Sequence, residues 1–113
     1  MIKIVALIRR NPQMTQEEFV HYWKTVHAPL VKKKLPGLVK YIGSFPSGVT
    51  SATEVVASDF DGVVELGFDS VKSMQAAMSN PDFLTEDRRI SSAKLMDLEK
   101  TRSMVVEEVV VPL

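Results

Sequence analysis

Side chains that could do proton and binding chemistry are concentrated between His21 and Leu30. This stretch holds the one Trp, one of the two Tyr and both His of a 113-residue chain. An imidazole can exchange protons near neutral pH, and aromatic rings bind apolar ligands. Cys is absent, which excludes a thiolate nucleophile and a Cys-based metal site. The residue types therefore point to acid–base chemistry on a largely apolar ligand.

A helical projection separates the members of this stretch. At about 100° per residue, one apolar stripe is predicted. Its members are Phe19, Tyr22, Trp23, Val26 and Leu30. His27 falls on the shoulder of the stripe, one turn after Trp23, whereas His21 falls on the opposite, solvated side. The two imidazoles therefore cannot share a metal or a substrate, and His27 is the predicted catalytic acid or base.

Each candidate in this helix has an alternative role. His27 could be structural, with its ring capping a backbone carbonyl freed near Pro29. Heme ligation by His27 also stays open, because a single His can hold heme iron. Trp23 and Tyr22 are predicted to contact substrate. The alternative for Trp23 is core packing, and the alternative for the Tyr22 hydroxyl is contact with solvent.

Four strands and three helices are predicted to position these side chains. The strands cover residues 2–8, 38–43, 63–68 and 104–111, and the helices cover residues 15 to at least 27, 70–79 and 81–98, with a loop over 44–59. Thr15 and Glu18 form a capping box, and Pro29 predicts a kink or break just after His27. The βαββαβ order predicts an α+β, ferredoxin-like fold, in which helices cover one face of a four-stranded antiparallel sheet.

The first and last strands carry apolar residues on both faces. Helices can cover only one face of such a sheet, and the chain has no further element for the other. A second copy of the sheet is the simplest cover. The sequence therefore predicts a homodimer in which two sheets face each other as a dimeric α+β barrel.

Further candidates lie on the strands. Tyr41 would orient a substrate if its ring points into the barrel. Glu65 would have a raised pKa and could pair with His27 if it faces the lumen, or would be solvated if its strand face is reversed. The tandem Arg9-Arg10 could bind a substrate carboxylate, with a surface salt bridge as the alternative.

Composition narrows the classes of partner and compartment. Lys plus Arg and Asp plus Glu number 14 each, so there is no net charge to favour nucleic acid or an anionic membrane. No apolar run approaches the roughly 18 residues of a membrane helix. Arg9 ends the first apolar run too early for a signal peptide. We expect a single domain over residues 1–113, in the cytoplasm, with no membrane or nucleic-acid partner.

Three segments of the chain form a specific combination. They are YWKTVHAPLV at 22–31, LPGL at 35–38 followed by Tyr41, and DGVVELGFDS at 61–70. This combination resembles the EthD family of the dimeric α+β barrel superfamily, over nearly the whole chain. The chain departs at Gly67, where relatives often carry a bulky aromatic side chain, so more room is expected beside Glu65.

The resemblance implies a range of activities. Similar proteins include methylmuconolactone methylisomerase and dehydratases or decarboxylases of aromatic polyketide pathways, and in several the residue matching His27 is the proposed acid or base. The expectation is a cofactor-independent enzyme, such as an isomerase or dehydratase, acting on a small cyclic or aromatic-derived metabolite. The alternative is a non-catalytic dimeric protein that binds a metabolite for a partner enzyme. No metal or cofactor motif is present in the sequence.

Overall fold

One antiparallel sheet with helices on one face forms the framework of the computed structural model, which describes residues 1–50 and 54–113. The strands are β1 (Ile2–Ile8), β2 (Leu38–Ser44), β3 (Gly62–Phe68) and β4 (Arg102–Glu107). The helices are α1 (Gln16–Tyr22), α2 (Ala28–Lys34), α3 (Val71–Met78) and α4 (Glu86–Leu95). The strand order β2-β3-β1-β4, with every pairing antiparallel, confirms the predicted ferredoxin-like α+β fold.

The first helix starts at the predicted capping box. The Thr15 hydroxyl accepts a hydrogen bond from the Glu18 N–H at 3.1 Å. The Glu18 carboxylate in turn accepts one from the Thr15 N–H at 3.0 Å. These two bonds satisfy backbone donors that have no partner inside the helix, and so fix where α1 begins.

The helix does not break near Pro29, so the break alternative of the predicted kink or break is wrong. It continues from α1 into α2 through a π-helical segment, Trp23–His27, in which the Ala28 N–H donates to the Trp23 carbonyl five residues back. Pro29 has no N–H to offer the Thr25 carbonyl, and in a regular α-helix its ring would clash with that carbonyl. A single widened turn relieves both conflicts without ending the helix.

The widened turn also changes which side chains face the sheet. Because the turn holds one extra residue, the buried stripe shifts by one position relative to a regular α-helix. Val26, predicted to lie in the core, is 45% exposed, whereas His27 and Val31 are 6% and 4% exposed. The shift therefore moves His27 from the shoulder of the apolar face into it.

Alternation along the strands gives the sheet two different faces. The helix-covered face carries two buried clusters, one around Phe68 under α2 and α3 and one around Phe19 under α1 and α4. The opposite face carries apolar side chains that no described helix covers. These are Val5, Leu7, Ile42, Met104 and Val106, and we call this side the open face.

Two predicted boundaries were wrong, each for a local reason. The last helix starts at Glu86 rather than at residue 81, because Asn80 organises a turn. Its side chain accepts from the Asp82 N–H at 2.8 Å, and its carbonyl accepts from the Phe83 N–H at 3.0 Å. The last strand ends at Glu107 rather than at residue 111, because its partner β1 starts opposite that residue.

Of the loop expected over 44–59, residues 51–53 lie outside the described residues. Across the two described ranges, no helix combines the length and apolar character needed to cross a membrane.

Candidate functional site

A cavity of about 140 Å³ lies between the helix-covered face of the sheet and the helices. Ala6 and Ile8 of β1 and Val64 and Leu66 of β3 form its apolar floor, and His27 lies in its wall. We call it the His27 cavity. A dry apolar cavity of about 150 Å³ is known to hold benzene, so a space of this size takes one six-membered ring.

His27 is fixed in the cavity wall by a hydroxyl on α4. The Nδ1 atom lies 2.9 Å from the Ser91 Oγ, which lies 3.1 Å from the Tyr22 hydroxyl. If Ser91 donates to Nδ1, the proton sits on Nε2 and this atom is a donor. If Nδ1 donates to Ser91, Nε2 is an unprotonated acceptor and base. Ser91 therefore orients the ring and can set which tautomer faces a ligand.

The imidazole of His27 is neutral at physiological pH. Burial, and to a smaller extent the positive charge of Arg88, lowers its pKa from 6.5 to about 4. Among the described residues, Nε2 has no hydrogen-bond partner. A neutral imidazole with one free nitrogen at an apolar cavity can accept or donate a single proton.

Arg88 lines the same cavity and was missed by the sequence reasoning. Its Nε donates to the Phe83 carbonyl at 2.9 Å, its Nη1 donates to Ser92 Oγ at 3.3 Å, and its guanidinium carbon lies 4.3 Å from the centre of the Phe83 ring. The available signal was the spacing of Arg88, Ser91, Ser92 and Leu95, which places them on one face of α4. Two serines and an arginine do not form an apolar stripe, so hydrophobic periodicity did not identify them as residues that face the core.

Tyr41 and Trp23 form the aromatic side of the cavity. Their ring centroids lie 5.5 Å apart in an edge-to-face arrangement. Burial raises the pKa of the Tyr41 phenol, which therefore stays a neutral hydroxyl. The indole lies so close to β2 that a Cβ added at Gly43 would sit 2.6 Å from a Trp23 ring carbon, so this strand position suits only glycine. Tyr41 points to the helices and not towards the open face, where the predicted barrel lumen would be.

Glu65 lies on the open face, on the opposite side of the sheet from His27. Its carboxylate oxygen is 2.6 Å from Lys3 Nζ. The hydrogen bond from Lys3 lowers the pKa of the Glu65 carboxyl. The hypothesis that Glu65 has a raised pKa and pairs with His27 was therefore wrong, because β-strand alternation puts these side chains on different faces.

Tyr22 lies behind the cavity and is not among the residues that line it. Its hydroxyl reaches Ser91, and Lys94 Nζ lies 5.2 Å from the centre of its ring. A direct substrate contact by Tyr22 stays a prediction. Its position instead favours an indirect role, in which it holds the hydroxyl that orients His27.

The tandem arginines near the end of β1 are already paired with carboxylates. Arg9 Nη1 lies 2.9 Å from Asp59 Oδ2, and Arg10 Nε lies 3.5 Å from Asp61 Oδ1. The arrangement is the salt-bridge alternative, in which both cations have carboxylate partners, although within the described residues the buried Arg10 Nε makes no hydrogen bond.

The space expected at Gly67 is filled. A Cβ at this position would lie 2.9 Å from the Lys40 Cβ and 2.9 Å from the Met1 Sδ. These side chains occupy the room on the open face, so the glycine does not enlarge a pocket.

The side chains and volume of the site bear on whether it could hold a metal ion or heme. Within residues 1–50 and 54–113, no group of three or more His, Cys, Asp or Glu side chains could hold a metal ion. The His27 cavity has the volume of one ring, which does not fit the four pyrrole rings of heme. The residues around His27 therefore do not suit heme ligation.

Comparisons with known proteins place this architecture among solved structures. An EthD-family protein of Bacillus halodurans is 24% identical, with a TM-score of 0.65 over 96% of this chain and 99% of that chain. HapK of Hahella chejuensis is 14% identical, with a TM-score of 0.63 over 100% of this chain and 97% of that chain. A protein of Thermobifida fusca described as dimeric, ferredoxin-like and of unknown function is 20% identical, with a TM-score of 0.56 over 93% and 88% of the two chains. These likenesses show a shared fold.

Among curated proteins, none matches this chain. The sequence itself matches the EthD domain over residues 11–97, which is most of its length. That range includes the widened helical turn, the cavity wall with His27 and the helix with Arg88. The chain therefore belongs to the EthD family.

Proposed function

We propose that this protein is a small enzyme that moves a proton on a one-ring metabolite, in an isomerisation, dehydration or similar step. His27 is the catalytic acid and base. The observation that carries the proposal is a buried, neutral imidazole whose Nε2 is free at a cavity of about 140 Å³. Apart from Arg88 and Ser92, the other residues that line the cavity are apolar or aromatic, which suits a ring-shaped ligand.

The proposed step conserves atoms and electrons without an added oxidant or reductant. Nε2 of His27 takes a proton from a ring carbon next to a carbonyl, and the C–H electron pair becomes an enolate. The imidazolium then returns the proton to another ring carbon, which gives an isomer. If the proton instead goes to a β-hydroxyl group, water leaves and the product is a dehydrated ring.

The surroundings of His27 support this cycle. The imidazolium formed in the first half of the step is buried, so it is a strong acid that returns its proton readily. The neutral Tyr41 hydroxyl could hydrogen-bond to the substrate, and Trp23 shapes the wall on the same side. The proposal needs no cofactor.

A second function deserves a test because the pKa of His27 is only about 4. A base this weak is less suited to proton abstraction at neutral pH than one with a pKa near 7. The same cavity could instead hold a metabolite for a partner enzyme without changing it.

We also propose a homodimer with the open faces of two sheets in contact. In one chain that face leaves Ile42 37% and Met104 53% exposed. A second copy would cover them, and three structural neighbours are described as dimeric. The His27 cavity lies on the other side of the sheet, so each protomer would carry a complete site.

The test of the enzymatic proposal uses solvent deuterium incorporation into one-ring enones and muconolactone-type lactones, followed by NMR. His27→Asn keeps a nitrogen or oxygen near the Nδ1 position for Ser91 but has no atom at Nε2. The matched control is His21→Asn, which removes the exposed imidazole from the same helix.

We expect His27→Asn to slow exchange at least about 100-fold, the usual contribution of a general base. His21→Asn should match the wild type. Exchange at the wild-type rate in His27→Asn would remove the catalytic role of this residue. Binding of the ring compounds without exchange by either protein would favour the metabolite-holding function.

A further inference from the structure

A half-buried cation that forms no ion pair among the described residues lies in the wall of the His27 cavity. Arg88 lines the cavity, and among the described residues no carboxylate lies within ion-pair distance of it. Two other arginines that line a pocket have carboxylates beside them. Arg9 and Arg10 line a different pocket, and the carboxylates of Asp61 and Asp97 line the same pocket.

The hydrogen bonds of Arg88 leave most of its donors unused. A guanidinium has five N–H groups. Within the described part of the chain, one is given to the Phe83 carbonyl and one to Ser92 Oγ. Among residues 1–50 and 54–113, the Nη2 nitrogen and one N–H of Nη1 have no partner, and donors on these two nitrogens can bind the two oxygens of a carboxylate.

The contacts of Arg88 also hold it in place. Its guanidinium lies 4.3 Å from the centre of the Phe83 ring, and the bond to the Phe83 carbonyl ties its Nε to the turn before α4. Fixing the side chain before a ligand arrives reduces the entropy lost on binding. A charged group held rigidly beside an apolar, ring-sized space is therefore prepared for an anion.

From this geometry we propose that the ligand of the His27 cavity is a one-ring carboxylate, whose carboxyl group pairs with Arg88 while its ring lies on the apolar floor. The inference rests on the proposed function and specifies its substrate class. With the carboxylate held at Arg88, the ring faces the free Nε2 of His27. Arg88 is thus the residue that selects anionic substrates over neutral ones of the same shape.

A matched pair of probes tests this proposal. Benzoate and benzamide have nearly the same shape, but only benzoate carries a charge at neutral pH. Trp23 is the only Trp in the chain and lines the cavity, so its fluorescence reports binding without any turnover. The titrations are made at constant ionic strength on the wild type, Arg88→Met and Arg89→Met. Arg89 is the exposed neighbour on α4 and serves as the matched control.

The wild type should bind benzoate at least about 10-fold more tightly than benzamide, because hydrogen bonds between two charged groups are stronger than those to a neutral amide. Arg88→Met should lose that preference, and Arg89→Met should keep it. His27→Asn should also keep it, because the anchor does not depend on the imidazole. Since no variant is needed to measure the preference of the wild type, poor folding of Arg88→Met would not leave the proposal untested.

Equal binding of the two probes by the wild type, no binding of benzoate, or an unchanged preference in a folded Arg88→Met protein would each overturn the proposal. None of these results bears on the deuterium-exchange comparison of His27→Asn with His21→Asn. The anionic substrate class and the proton-transfer role can therefore fail separately.

Discussion

At the scale of residues, the site depends on how one imidazole is solvated and held. His27 loses nearly all contact with water on folding, and one of its two ring nitrogens forms a hydrogen bond with Ser91. Desolvation penalises the charged ring, so the neutral form dominates. The other nitrogen is left for a ligand, on the same cavity that Arg88 supplies with positive charge.

The low pKa of His27 makes stability depend on pH. The folded-state pKa is about 4, against an ordinary value of 6.5, so the folded protein binds this proton more weakly than the unfolded chain. The stabilising contribution is fully present above about pH 6.5 and is lost as pH falls towards 4. Between pH 7 and 5.5 the loss should be about 1 kcal/mol.

Urea unfolding of the wild type and His27→Asn at these two pH values measures that contribution. The difference in unfolding free energy between the two proteins should shrink on going from pH 7 to 5.5, since the variant has no proton to take up at this position. A difference that stays constant would show that His27 titrates alike in the folded and unfolded chains.

At the scale of elements, the π-helical segment explains why the sequence located His27 but misjudged its surroundings. The capping box fixed the start of α1, and the regular projection then applied as far as Trp23. Pro29 predicted a kink or break, whereas a widened turn satisfies the same constraint and shifts the buried stripe by one residue. Local rules could identify the conflict at Pro29 but not which solution the tertiary packing would select.

The helix α4 shows a second limit of prediction from sequence. Ser91 and Ser92 are 4% and 7% exposed and share the buried face of this helix with Leu95, whereas the apolar Ile90 is 61% exposed. Hydrophobic periodicity cannot predict a buried face in which serines accompany a single leucine. The prediction that Glu65 pairs with His27 was wrong for a related reason. Strand alternation fixes which residues share a face of the sheet but not which face the helices cover.

At the scale of the whole molecule, the sheet separates two surfaces with different roles. The helix-covered side holds the His27 cavity, and the open face carries apolar side chains around the Lys3–Glu65 ion pair. The βαββαβ order and the strand pairing were predictable, because periodicity and chain order leave few alternatives. The apolar character of both faces of β1 likewise pointed to a cover for the open face.

The proposed dimer is tested by placing a charge on the open face. Met104→Glu should convert a dimer into a monomer, since Met104 is exposed in one chain and lies opposite the apolar Val5, and an unpaired charge buried between two sheets is costly. Ile90→Glu places the same charge on α4, away from that face, and should leave the dimer intact. Light scattering coupled to size-exclusion chromatography measures the mass of each. A monomeric wild type, or a dimer that survives Met104→Glu, would contradict the arrangement.

We infer that His27, and not His21, presents a neutral imidazole nitrogen to the ligand cavity. Nitrogen-15 NMR of the wild-type protein reads the protonation of both rings directly, with the His21→Asn variant assigning the signals. The His27 ring should stay neutral from pH 8 down to about 5 and take up its proton near pH 4. A His27 ring that is already charged at pH 7 would overturn this role for the residue.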